Sequence, residues 1–300
     1  MRLGYLGPAG TFSEEAVRQA AVPDAELVPF VSIHDAVLAV DRGDVDRALV
    51  PVENSLEGGV SATLDALAWE ARATVIVGET VLGIRNCLIA REALALDAIE
   101  VVLSHAQPLA QCARFLRAEL PGAAVRAAAS TAEAVRTVVE SSEAWAAIGP
   151  RGAAERYGAR VLREAIDDEP GNATRFVWLA PAGTAPGAPP DPGVARGDAG
   201  AAPGDAGAAA GRGGPWKTSV LFAGAGDAQP GWLVRCLSEF AFRGVNLTKI
   251  ESRPMRGRLG HYLFHVDMEG RADDASVAAA VAALDAHCDE VRLLGTYPAA

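Results

Sequence analysis

The stretch "TVIVGETVLGIRNCLIA", residues 74–90, decides how the first half of this chain folds. Before and after it, short apolar runs alternate with stretches of helical spacing. "RLGYLG", "LVPFV", "RALVPVE", "EVVLS", "WAAIG" and "RFVWLA" read as strands; "TFSEEAVRQAA", "PLAQCARFLRAEL" and "TAEAVRTVVESS" read as helices. That alternation predicts an α/β fold with largely parallel sheets. Residues 74–90 break the rhythm near their middle. A crossing near 78–84, with a return near 158–166, divides the region into two α/β lobes flanking a cleft.

A second boundary follows from composition. Between Pro181 and Pro215, 28 of 35 residues are Ala, Gly or Pro. Such a segment has little to bury and is expected to be a disordered linker. The chain therefore divides into 1–180, a tether over 181–215, and 216–300. The last part reads "WKTSVLFAG", "GWLVRCLSEFAFRG", "NLTKIESRP", "HYLFHVDME", "SVAAAVAALDAHC" and "EVRLLGTYP". This is β-α-β-β-α-β, the ferredoxin-like order.

Half of the 300 residues are hydrophobic and the net charge is −11, which argues against nucleic acid as a partner. No apolar run approaches the roughly 18 residues of a membrane span. The N-terminus lacks the apolar core of a secretory signal, so cytoplasm is the expected location. Cys87, Cys112, Cys236 and Cys288 are scattered, as expected of reduced, buried thiols. No cysteine or histidine cluster has metal spacing, and neither a Gly-x-Gly-x-x-Gly run nor a Walker loop is present.

Four junctions at the carboxyl ends of strands carry small polar residues. They are Thr11 in "GPAGTFSEE", Asn54 and Ser55 in "VENSLEGGV", Ser104, His105 and Gln107 in "SHAQPLAQ", and Ser130 in "STAEAV". Each alone is a plain helix cap; together they occupy the sheet edge where α/β proteins bind ligands. Free N–H groups at helix starts favour an anion. "GNATRF", residues 171–176, then sets Thr174 and Arg175 at the mouth of an apolar strand. Arg175 either pairs at the surface with Asp167 or Asp168, or grips a ligand carboxylate with its bidentate fork.

These segments, taken in order, resemble the successive motifs of prephenate dehydratases. "GWLVRCLSEFAFRGVNLTKIESRP" resembles the signature of their C-terminal ACT regulatory domain. The resemblance implies a periplasmic-binding-protein-like catalytic part, conversion of prephenate to phenylpyruvate without cofactor or metal, feedback by L-phenylalanine, and a homodimer or homotetramer. It implies Thr174 as the catalytic donor. Ala9, Gly10, Thr11, Asn54, Ser55, Ser104, Gln107, Gln111, Thr131, Arg175 and Phe176 are the implied substrate contacts. L-phenylalanine is expected at Gly231, Trp232, Leu233, Asn246, Leu247, Glu251, Ser252, Arg253 and Pro254, across two chains. Three positions depart from the family pattern: Ala106, Asn86 and Trp232. The indole of Trp232 stands where a small residue is usual, and is expected either to fill part of the effector pocket or to pack outward against the partner.

Prephenate carries two carboxylates and a ring hydroxyl. Loss of CO₂ drives electrons through the ring and expels the hydroxyl, so the ring is its own electron sink. Two other readings are open: the sister reaction on arogenate, and a non-catalytic amino-acid or organic-acid sensor.

Overall fold

In the computed structural model, the described residues are 1–20, 24–187, 215–224 and 229–300. Most of the expected linker, 188–214, lies outside them. Residues 182–187 belong with the first lobe: the Gly187 N–H donates to the Val77 carbonyl at 2.6 Å, and Arg47 donates to the Gly187 carbonyl at 2.7 Å.

The chain starts in one lobe with β1 (Arg2–Leu6), α1 (Phe12–Gln19), β2 (Glu26–Phe30), α2 (Ile33–Asp41), β3 (Arg47–Asn54), the two-residue β4 (Gly58–Gly59), α3 (Ser61–Trp69) and β5 (Thr74–Gly83). It crosses at 84–86 into a second lobe of β6 (Cys87–Ala90), β7 (Val101–Ser104), α4 (Ala106–Gln111), α5 (Ala113–Glu119), β8 (Ala124–Ala127), α6 (Thr131–Glu140), β9 (Trp145–Gly149), α7 (Arg151–Tyr157) and β10 (Arg160–Arg163). Residues 164–172 bring it back for β11 (Ala173–Pro181). The crossings overlap the ends of the spans read from sequence and extend past them, because β5 and β10 stay paired up to Gly83 and Arg163.

The first sheet runs β2-β1-β3-β11-β5 and the second β10-β6-β9-β7-β8. Parallel pairing holds for β1 with β2 and β3, and for β7 with β8 and β9. The strands that enter a lobe through the cleft, β6 and β11, are antiparallel to their neighbours. The reason is geometric: they begin at the edge where β1, β3, β5, β7 and β9 end. Thr174 therefore stands at the cleft as the second residue of β11.

The two crossing segments are tied together. Asn86, fully buried on the outgoing one, donates its backbone N–H and side-chain amide to the Asp167 carboxylate on the return, at 2.8 and 2.5 Å. Asp168 accepts the N–H groups of Arg114 and Phe115 at the start of α5. Neither aspartate reaches Arg175.

The C-terminal unit is β12 (Trp216–Ala223), α8 (Trp232–Ala241), β13 (Leu247–Pro254), β14 (Tyr262–Glu269), α9 (Ala275–Leu284) and β15 (Glu290–Pro298), with sheet order β13-β14-β12-β15. One sheet face buries Val220, Phe222, Val266 and Met268 against α8 and α9. The other shares a core with the first lobe, where Leu221, Leu263, Leu294 and Tyr297 join Val50, Ile76, Val177 and Leu179. Gly295 passes so close to β5 that a methyl group there would run into the Ile76 carbonyl group and stand 3.0 Å from its nitrogen.

His265 of β14 lies between these domains, 3% exposed, and neither ring nitrogen finds a partner among the described residues. Burial pushes its imidazole down to about 4, reinforced by Arg292 and Lys249 and opposed by Asp267 and Asp65. An unfolded histidine titrates near 6.5. Between these values the unfolded chain takes up a proton that the native chain refuses, so stability is lost as pH falls through that window. That gap corresponds to about 3 kcal/mol. Denaturant titrations at pH 7 and pH 4 check this: His265→Leu should lose less stability than wild type, and an equal loss would refute it.

Candidate functional site

The cleft between the lobes encloses roughly 790 Å³, within the usual range for small-molecule sites. Its rim is built from strand ends and helix starts. Thr11 caps α1: its Oγ accepts the Glu14 N–H at 3.4 Å and donates to the Leu6 carbonyl at 3.1 Å. Ser130 caps α6 by accepting the Glu133 N–H at 3.0 Å, while the Glu133 carboxylate accepts the Ala129 N–H at 3.0 Å. Both have the spacing of a capping box, with the Glu carboxylates reaching back one residue further, to the N–H groups of Ala129 and Gly10 that precede the caps. His105 caps α4, its Nδ1 accepting the Gln107 N–H at 3.3 Å.

Thr174 sits beside Asn54 across the β11–β3 ladder. The Asn54 Oδ1 accepts the N–H groups of Leu56 and Glu57 at 2.9 and 3.1 Å, which fixes the amide. Its Nδ2 then donates to Thr174 Oγ at 3.0 Å and to Asn172 Oδ1 at 2.9 Å. Because Thr174 Oγ accepts from Asn54, its own proton is free for a group in the cleft.

The lobes also touch across the cleft. Tyr157 of α7 donates to the Ala9 carbonyl at 2.8 Å. The buried Glu14 carboxylate accepts the Gly10 N–H at 2.5 Å and lies 3.6 Å from Arg156 of the opposite lobe. Gln111 reaches Glu57 at 3.4 Å and accepts from Asn172 at 3.3 Å. Gly10 has φ +90°, and a Cβ there would stand 3.1 Å from the Tyr157 ring, so glycine suits both the turn and the contact.

Of the residues expected around a ligand, Ala9, Thr11, Asn54, Gln107, Gln111, Thr131, Thr174 and Phe176 line the cleft. Gly10, Ser55, Ser104 and Arg175 do not. Gly10 supports the loop. Ser55 accepts the Ala173 N–H at 3.0 Å. Ser104 is buried and donates to the Ile148 carbonyl at 2.7 Å.

Arg175 is the main correction. Along β11, Phe176, Trp178 and Ala180 join the α1 core, whereas Val177 and Leu179 join the core shared with the C-terminal domain. Arg175 follows the second set by strand alternation. It meets Glu53, Glu79 and Asp267, and neither lines the cleft nor pairs with Asp167 or Asp168.

A different arginine lines the cleft. Arg136 of α6 is the one Lys or Arg there among the described residues; it is exposed and makes no ion pair or hydrogen bond with them. Its helical spacing gave no sign of this, because position 136 reads as an ordinary polar face. Tyr157 and Asn172 were likewise not apparent before the lobes met.

In the C-terminal domain a second hollow, about 240 Å³, is lined by Gln229, Gly231, Trp232, Leu233, Val234, Gly260, Tyr262 and Phe264. Within one chain, Asn246, Leu247 and Glu251 to Pro254 do not line it. The Glu251 carboxylate accepts from Lys249 at 3.2 Å, and Arg253 grips Asp65 of α3 with two bonds of 2.8 Å. Trp232 lines the hollow with its ring set into the domain core. It is 4% exposed, its ring lies 6.1 Å from Phe222 and 5.9 Å from Phe264, and its indole N–H donates to the His287 carbonyl at 2.6 Å.

All four cysteines are free and buried, and no described group of three or more His, Cys, Asp or Glu has the geometry of a metal site. None of the described helices is long and apolar enough to cross a membrane.

The geometry defines a two-lobed α/β cleft carried with a C-terminal ferredoxin-like domain. The chain belongs to the prephenate dehydratase family, whose model matches residues 3–184. It is 38% identical to the prephenate dehydratase of Mycobacterium tuberculosis over 307 aligned positions, spanning 99% of this chain and 87% of that one. The prephenate dehydratase of Amycolatopsis methanolica is 36% identical, with 99% and 88% covered. Among solved structures, the prephenate dehydratase of Arthrobacter aurescens in complex with L-Phe superposes with a TM-score of 0.83 at 36% identity, covering 99% and 90%. A protein described as a novel type of quorum-quenching acylase superposes at 0.80 with 27% identity, covering 100% and 98%.

Trp232→Ala removes a buried indole and its hydrogen bond. It should destabilise the C-terminal domain by about 3–5 kcal/mol. Chemical denaturation checks this; a loss below about 1 kcal/mol would mean the ring is not core.

Proposed function

We propose that the cleft converts prephenate to phenylpyruvate, and that Thr174 donates a hydrogen bond to the departing ring hydroxyl. The observation that carries this is the hydrogen bond from Asn54 Nδ2 to Thr174 Oγ, which uses the hydroxyl as an acceptor and leaves its proton available to a group in the cleft that Thr174 lines. A threonine hydroxyl is too weak an acid for ordinary proton transfer at neutral pH. It acts as a preorganised donor to developing charge, where removing one donor typically costs about 10²–10³ in kcat.

The substrate's two carboxylates need positive partners. Arg136 supplies a guanidinium, and the starts of α1 and α6 at Thr11 and Thr131 supply hydrogen-bond donors of favourable dipole. Gln107, Gln111 and Asn172 complete the polar lining, and Phe176 with Ile84 gives the ring an apolar wall. Lobe closure excludes water and strengthens each contact. Decarboxylation and departure of hydroxide leave an aromatic ring, so no external electron sink enters the scheme.

L-phenylalanine regulates the enzyme from the C-terminal domain. The hollow at Gly231, Trp232 and Leu233 is half a site, completed by Asn246, Leu247 and the segment Glu251 to Pro254 of a second copy. The protein is thus a homodimer or homotetramer acting in the cytoplasm. The resemblance to the complex with L-Phe supports L-phenylalanine as the effector.

An acylase reading, after the description of that relative, finds no histidine–hydroxyl pair here: His105, the one histidine lining the cleft among the described residues, accepts from the Gln107 N–H. Purified protein mixed with prephenate, and separately with arogenate, should yield phenylpyruvate faster than phenylalanine. No product from either substrate would refute the assignment.

Two variants test the roles. Thr174→Val should lower kcat about 10²–10³-fold with little change in KM, and Thr174→Ser should retain much more activity. A Val variant within a few-fold of wild type would remove Thr174 from the chemistry. Arg136→Gln should raise KM for prephenate roughly ten- to hundredfold, the worth of one hydrogen-bonded charge. An unchanged KM would show that Arg136 stays in solvent.

A further inference from the structure

The face of β11 turned away from the cleft carries a buried ion cluster that the proposed chemistry does not use. Arg175, its side chain 11% exposed, donates to Glu53 through Nε and Nη2 at 3.0 and 2.9 Å, to Glu79 at 3.1 Å, and to Asp267 at 2.6 Å. Glu53 and Glu79 belong to the first lobe; Asp267 belongs to the C-terminal domain. Lys217 shares Glu79 at 2.8 Å, and the Ala300 N–H donates to the same carboxylate at 2.9 Å. The second Asp267 oxygen accepts Ser219 Oγ at 2.6 Å, and Ser219 meets Tyr297 Oη at 2.8 Å. Burial would push the guanidinium down, but Asp267, Tyr297 and Glu79 outweigh it and hold its proton more tightly than in water.

The cluster touches the candidate catalytic pair twice. Thr174 is the residue before Arg175, and Asn54, which orients Thr174, is the residue after Glu53. Arg175 and Glu53 are also register partners across β11 and β3, as Thr174 and Asn54 are. The register shifts immediately after Arg175, so the ladder is irregular at this point. Bulges of this kind re-aim side chains next to active sites. A buried charge stripped of one partner is strongly disfavoured. If the C-terminal domain shifts and withdraws Asp267, Arg175 must follow or find a substitute, and either response moves the strand that carries Thr174.

We propose that Arg175 is a positioning residue that couples the C-terminal domain to Thr174, through Asp267 on one side and Glu53 on the other. This rests on the dehydratase reading, and makes the effector act by moving the donor hydroxyl rather than by blocking the cleft.

The test uses the full chain with Asp267→Asn and, as a second conservative variant, Arg175→Lys. Each should lower kcat at least about fivefold with KM within about twofold, and the double variant should be little worse than either single one. Saturating L-phenylalanine should inhibit both variants less than wild type, while calorimetric affinity for L-phenylalanine stays within about twofold. Hydrogen exchange of the Thr174 to Phe176 amides should be faster in Asp267→Asn. A raised KM at unchanged kcat in Arg175→Lys would make Arg175 a substrate clamp and overturn the proposal. So would wild-type kcat, inhibition and exchange in Asp267→Asn, or a wild type blind to L-phenylalanine. If the wild type makes no phenylpyruvate, the dehydratase reading falls alone; the exchange comparison then decides the coupling, unchanged rates overturning it.

Discussion

Strand β11 has two buried faces, and the molecule is organised around that constraint. One face, Thr174 and Phe176, looks into the cleft; the other, Arg175, Val177 and Leu179, packs toward the C-terminal sheet. A strand buried on both sides cannot move for one partner without the other registering it. Its antiparallel entry follows from the chain's return through the cleft, so a residue at its start is necessarily at the site.

The ions behind Thr174 fit this position. An arginine held by three carboxylates contributes little net stability once desolvation is counted, since buried ion pairs roughly offset their own solvation cost. What such a cluster supplies is geometry: its partners have few alternative arrangements. The apolar core shared by the two domains holds them together through Leu221, Leu263, Leu294 and Tyr297. The polar cluster defines how they sit at the one point nearest the chemistry.

The cleft shows the complementary arrangement. Its polar groups are locked by neighbours of their own: Asn54 by the Leu56 and Glu57 N–H groups, Glu133 by Ala129, and Asn172 by Gln111. Arg136 alone among its charged side chains is left without a partner in the described structure, which is how a group reserved for a charged ligand should look. Preorganisation of this kind lets donors face a developing charge without reorienting first.

From sequence alone, local rules determined the alternation of strands and helices, the ferredoxin-like order of the last 85 residues, the helix caps at Thr11 and Ser130, and the ordered motifs that mark the family. Each depends on residues close together in the chain. The direction of Arg175 was not legible, because "TRFVWLAP" is apolar on both faces after its first two residues and offers no polar side to orient it. The same is true of Trp232, a helix residue whose place in the core depends on Phe222 of β12 and Phe264 of β14. Arg136, Tyr157 and Asn172 acquire meaning only where two lobes meet, a juxtaposition of residues far apart in sequence. Tertiary packing decided which arginine faces the cleft and which faces the neighbouring domain, because alternation along a strand says that successive side chains diverge but not which side is the cleft.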